Sequence, residues 1–152
     1  MRGRGLSADS AKLGAMKEQS RHLSVHIGRP AAAVYEFASD PSRMPLWASG
    51  LGAGIEQVDG RWYIQTEGGA LAIDFAPPNE FGVIDHNVTM PSGEIVYNPL
   101  RVIPDDAGDA RGCEVVFSLR RQAGLSDREF DRDAEMITAD LQRLKTLMEK
   151  DG

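Results

Sequence analysis

Leu23, Val25 and Ile27 alternate with Ser24 and His26, the period of two that marks a half-buried strand. Gly28 to Pro30 breaks the alternation, and Pro30 stands where the first turn of a helix tolerates a residue without an N–H. A short helix is predicted over 31–38, with Val34, Phe37 and Ala38 on its apolar side. Asp40-Pro41 stops it, because the residue before a proline avoids the α region. One or two further helical turns over 42–48 carry Met44, Leu46 and Trp47.

From there to Arg121 the pattern is β. Strands are predicted over 54–58, 61–67, 70–76, 81–90, 94–103 and 112–121. The breaks between them are Asp59-Gly60, Gly68-Gly69, Pro77 to Glu80, Pro91 to Gly93 and Pro104 to Gly112. Short connections make consecutive strands antiparallel neighbours, which is a meander. Gly50, Gly52 and Gly54 do not have the spacing of a dinucleotide-binding loop, and a strand rather than a helix follows them.

The C-terminus carries the clearest element. Ser126 with Glu129 three positions on is a capping box. Phe130, Ala134, Ile137, Leu141, Leu144 and Met148 then form one apolar stripe along a helix of about 24 residues, roughly 36 Å long. Asp127, Glu129, Asp131 and Asp133 crowd its start, while Arg143, Lys145 and Lys150 lie near its end, as the helix dipole favours. These charges read as a solvated outer face.

Composition narrows the class. A chain of 152 residues with 41% hydrophobic and 26% charged residues suits one globular domain. Its net charge of -6 and the lack of a dense basic run argue against a nucleic-acid partner. Cys113 is the only cysteine, so no internal disulfide can form, and its alternation with Val115 and Phe117 makes it a small buried hydrophobe. No apolar run approaches the ~20 residues of a membrane span, and the N-terminus lacks the apolar core of a secretory signal. A cytoplasmic placement is expected, so the Asn87-Val88-Thr89 sequon is read as coincidence. Residues 1–20 are expected to be a mobile basic tail, with Met16 a second candidate start, and 21–152 the folded domain.

The predicted order is a strand, two short helices, a six-strand meander and one long amphipathic helix. The fold class is therefore α+β. The apolar stripe of the helix needs a sheet to cover it, and a curved meander can wrap around it as a helix-grip. The chain resembles the START-like superfamily, also called SRPBCC, which includes polyketide cyclases and lipid-transfer domains. The residues that carry this resemblance are His22 to Ile27, then Arg29-Pro30-Ala31-Ala32, Val34-Tyr35, Phe37-Ala38, Asp40-Pro41 and Trp47, and finally the closing helix over 126–150. It spans about residues 20 to 150. It implies a pocket between sheet and helix, but it carries over no catalytic residues, because members include enzymes, carriers and sensors.

Strand parity selects the residues facing that pocket. The expected inner sets are Ile84, His86, Val88 and Met90; Leu71, Ile73 and Phe75; Trp62, Ile64 and Thr66; and Cys113, Val115, Phe117 and Leu119. Ile95 and Tyr97 are expected to point inward, with Pro99 marking a bulge that leaves Arg101 undetermined. The candidate ligand-binding residues are Trp47, Trp62, Ile73, Ile84, His86, Val88, Tyr97, Phe117, Phe130 and Ile137. His86 is the candidate acid–base group, with Tyr97 as its hydrogen-bonding partner.

The leading expectation is a binding module for a small hydrophobic or aromatic molecule, needing neither cofactor nor metal. The alternatives are a cyclase- or dehydratase-like enzyme working through His86, and a protein-interaction subunit whose cavity is filled by side chains.

Overall fold

The computed structural model describes residues 19–51, 54–108 and 110–150. The expected tail over 1–18, including Met16, lies outside the described residues. The chain runs β1 (Ser20–Ile27), α1 (Ala31–Ala38), two short 3-10 turns (Pro41–Leu46 and Ser49–Leu51), β2 (Ile55–Val58), β3 (Arg61–Thr66), β4 (Gly69–Phe75), β5 (His86–Thr89), β6 (Ile95–Asn98), β7 (Leu100–Pro104), β8 (Cys113–Arg120) and α2 (Asp127–Lys150). Strand β1 begins at Ser20, paired with Arg120, one residue before the expected domain boundary.

All pairings are antiparallel. Strands β2 to β6 form a five-stranded meander, and β1, β8 and β7 form a three-stranded sheet with β8 in the middle. Pro99 explains why the expected strand over 94–103 is two strands. It has no N–H to give to a ladder, so β6 stays on β5 while β7 moves to β8. The two sheets remain joined through the chain just before β5, where Ile84 N–H donates to Leu100 O and Val102 N–H donates to Gly82 O, each at 2.8 Å.

The expected strand over 81–90 keeps its ladder only at His86–Thr89. Ahead of it, the Asn79 side chain accepts from the N–H groups of Phe81 and Val83 and donates to the carbonyls of Pro77 and Val83. These bonds compete with strand pairing and shape a turn instead. Gly82 completes that turn at φ +74, and a Cβ there would run into the Val102 carbonyl.

Helix α2 keeps the expected cap: Glu129 N–H donates to Ser126 Oγ and Ser126 N–H donates to Glu129 Oε1, both at 3.1 Å. Its stripe of Phe130, Ala134, Leu141, Leu144 and Met148 is buried. The core has two parts. The larger joins Leu141, Leu144 and Met148 of α2 to Ile27, Val34, Ile73, Val102 and Val115. The smaller holds Phe130 against Leu119 and Ala134. The guanidinium groups of Arg21 and Arg121 lie 4.6 and 5.1 Å from the Phe130 ring centroid.

Not all α2 charges face solvent idly. Lys145 donates to the His26 carbonyl at 2.6 Å and to Glu149 at 2.8 Å, and Glu149 accepts from Gly28 N–H at 2.8 Å. The end of α2 is thereby fastened to the end of β1.

A cavity between sheet and helix

A cavity of about 250 Å³ lies between the sheet and α2. Ile73 and Phe75 of β4, Val88 of β5 and Phe117 of β8 form its sheet side. Ile137 and Leu141 form its helix side, because they sit four apart on the stripe. The 3-10 segments contribute Met44, Trp47 and Leu51, while Gly50 and Met136 are exposed at its edge and Asp140 is largely covered beside them.

The polar groups cluster on one side. Phe75, His86 and Asn98 are direct cross-strand partners on β4, β5 and β6, so they form a row on the inner face. The His86 ring is tilted against Phe75 at 5.6 Å and meets Phe117 edge-on at 6.4 Å between centroids. His86 Nδ1 lies 3.0 Å from the Ile84 carbonyl. A carbonyl only accepts, so the proton sits on Nδ1 and the neutral ring has a bare lone pair at Nε2. Burial pushes the His86 pKa below its ordinary 6.5, against smaller opposing effects of the Ile84 bond and the Asp85 charge. His86 is therefore neutral at pH 7. Its surface is only partly covered because it borders the cavity.

Trp47 is 6% exposed, and its indole Nε1 is buried with no hydrogen-bond partner among the described residues. Such a donor is normally satisfied. Its backbone is well held. Arg143 donates to the Trp47 carbonyl at 2.8 Å, and Asp140 accepts both from Arg143 at 2.9 Å and from Ser49 N–H at 3.0 Å.

The structure brings Trp47, Ile73, His86, Val88, Phe117 and Ile137 to this cavity, the strand residues among them on the face that parity expects. The other four lie elsewhere. Tyr97 is 46% exposed on the outer face, where its hydroxyl donates to Asp85 at 2.8 Å. It cannot partner His86, because it stands opposite Asn87 while His86 stands opposite Asn98. Ile95, 61% exposed, shares that outer face. Arg101, left open by the sequence, also faces outward and grips Asp85 at 2.8 Å. Burial opposes the Asp85 charge, but bonds from Arg101, Tyr97 and the Leu100 N–H outweigh it and hold the carboxyl below its ordinary range.

Ile84 is a fully packed core residue just before β5 and is not part of the cavity wall. Phe130 lies in the separate small core. Trp62 shares the face of Ile64 and Ile73, but it lies beyond the cavity, in an open groove of about 440 Å³ with Tyr35 and Pro77. Asn98 is the wall residue beside His86 that the sequence reading missed. Its signal was available: counting across the Pro91 to Gly93 turn puts it opposite His86.

Among the described residues no cluster of side chains has the make-up of a metal site, and no helix is long and apolar enough to cross a membrane.

No family model matches the sequence, and no curated protein is significantly similar to it. Solved structures do match. A START superfamily protein from Mycobacterium smegmatis superposes with a TM-score of 0.66 at 12% identity, covering 89% of this chain and 100% of the other. A protein from Deinococcus radiodurans superposes with a TM-score of 0.58 at 24% identity, over 86% of this chain and 98% of the other. The di-domain ARO/CYC protein BexL, from the BE-7585A biosynthetic pathway, gives 0.63 at 15% identity over 87% of this chain and 47% of BexL. The chain thus has the START-like, helix-grip fold expected from its opening and closing elements. At these identities the likeness concerns the fold alone.

Proposed function

We propose that the chain binds one small, largely apolar molecule in the cavity between its sheet and α2. The observation that carries this reading is the composition of the wall: an apolar enclosure with His86 and Asn98 side by side as its polar handles. Apolar walls with a few placed polar groups are the general form of ligand sites. Two structural neighbours, a START superfamily protein and the di-domain ARO/CYC protein BexL, are in keeping with it.

Catalysis has less support. Among the described residues the titratable groups of the wall are His86 and Asp140, and Asp140 is committed to Ser49 and Arg143. Convergence of two or more available titratable groups is the usual mark of acid–base chemistry, and Tyr97 does not supply the second. A filled, purely structural interior also has less support, because packed cores rarely leave voids much larger than a water. About 250 Å³ is far larger.

The test is native mass spectrometry of the purified chain, followed by extraction of any retained small molecule. The thermal midpoint is then measured with and without the extract. A retained compound that raises the midpoint with concentration supports the reading. A protein that carries nothing, and that no apolar compound of matching size stabilises, overturns it.

A further inference from the structure

The cavity specifies more than apolarity, and the following rests on the binding function proposed above. We propose that its ligand is an uncharged one- or two-ring aromatic molecule bearing a hydroxyl group, whose oxygen sits between His86 and Asn98.

Size sets the first limit. An engineered cavity of about 150 Å³ holds benzene, so a space of about 250 Å³ holds on the order of ten non-hydrogen atoms. That admits two fused rings and excludes lipids and multi-ring skeletons unless they protrude. Shape sets the second. Phe75 and Phe117 flank His86 on the sheet side, and Trp47 lines the same cavity from the 3-10 segment, so flat ring surfaces already line the space.

Charge sets the third. Among the described residues no lysine or arginine lines the cavity, and the one carboxylate on it, Asp140, is already paired with Arg143. An anionic ligand would find no counter-charge among these lining residues.

Hydrogen bonding sets the fourth. Nδ1–H of His86 is spent on the Ile84 carbonyl, which leaves Nε2 as an acceptor that needs an incoming donor. Asn98 stands directly opposite His86, and such partners have Cβ atoms ~4.5–5.5 Å apart, so one oxygen can reach both. A hydroxyl can donate to Nε2 and accept from the Asn98 amide at once. A ketone or ether can do only the second.

The experiment is calorimetric titration of the full chain with four probes of one skeleton: 2-naphthol, 2-methoxynaphthalene, naphthalene and 2-naphthoate. The expected order puts 2-naphthol about tenfold tighter than naphthalene, the combined effect of two neutral hydrogen bonds. The methyl ether should fall near naphthalene, and the carboxylate should bind worst. His86→Phe and Asn98→Leu should each bring the naphthol-to-naphthalene affinity ratio down toward one. Should His86→Phe fail to fold, His86→Gln and Asn98→Leu carry the same comparison. Equal affinities for naphthol and naphthalene, or preference for the carboxylate, overturn the hydroxyl inference and leave the apolar binding site standing. If none of the four binds, the aromatic-hydroxyl inference falls, and the retained-compound test above decides the binding reading separately.

Discussion

Arg143, on α2, donates to the carbonyl of Trp47 at 2.8 Å, so the long helix itself holds the segment that closes the cavity. Asp140 completes the clasp through the Ser49 N–H. Asp140→Ala removes two bonds from a part-exposed site, which should cost only ~1–2 kcal/mol of global stability. Its main effect should be local. Amide hydrogen exchange at residues 47–51 is expected to quicken at least severalfold while the core strands keep their protection. Unchanged exchange in this segment would show that apolar packing of Met44 and Trp47 holds it without the clasp.

Leu141 and Ile137 lie on one stripe but should respond differently to truncation. Leu141 is 2% exposed within the main core, and Leu141→Ala should cost ~2–5 kcal/mol. Ile137 is only partly covered because one side of it faces the cavity. It has already forgone contacts there, so Ile137→Ala should cost nearer ~1–2 kcal/mol and enlarge the space. Urea unfolding of both variants decides the matter, and equal losses would mean that the cavity closes around Ile137 in solution.

How much of this was legible beforehand depends on which physical signal governs each element. The stripe of α2, its Ser126 cap and the Asp40-Pro41 stop act through neighbours in the chain, and all are found where the pattern puts them. Parity was reliable on β4, β5 and β8, where one face is apolar and the other polar. It failed on β6. Ile95 and Tyr97 are the larger apolar residues there, yet they face outward, because Tyr97 satisfies its hydroxyl on Asp85 across the outer face. Asn98 takes the inner position against the apparent pattern. Local rules tend to break at functional positions, so this inversion beside His86 is in keeping with a binding role.

His86 gives stability a pH dependence whose sign follows from its lowered pKa. Below about pH 6.5 the unfolded chain takes up a proton at this ring, whereas the native ring resists it. The unfolded state then binds more protons, so stability falls as pH drops from 6.5 toward the lower native value. Each unit of difference is worth up to ~1.4 kcal/mol. Measured from about pH 7 down to about pH 5.5, the unfolding free energy of the native chain should fall relative to that of His86→Phe. Parallel curves would sink the claim that the native ring is held neutral.

Cys113 should be chemically silent in the folded state. It has no exposed surface, and burial, with a smaller push from the Asp105 charge, takes its thiol up to about 11. Thiol reagents at neutral pH should label it only after denaturant is added. Stoichiometric labelling of the native chain would mean that the β1–β8 pairing around Ile27 and Cys113 opens readily.

The cavity also has a mechanical consequence. The cavity of about 250 Å³ disappears when the chain unfolds, and whatever part of it excludes water adds to the volume of the folded molecule. Hydrostatic pressure favours the smaller volume. The volume change on unfolding should lie toward the large end of the usual range, near roughly -100 mL/mol. An occupant would fill the void and make the fold less compressible, so the midpoint pressure should rise by more than binding affinity alone accounts for. Compression thus weighs the emptiness of the interior directly, without any knowledge of what belongs there.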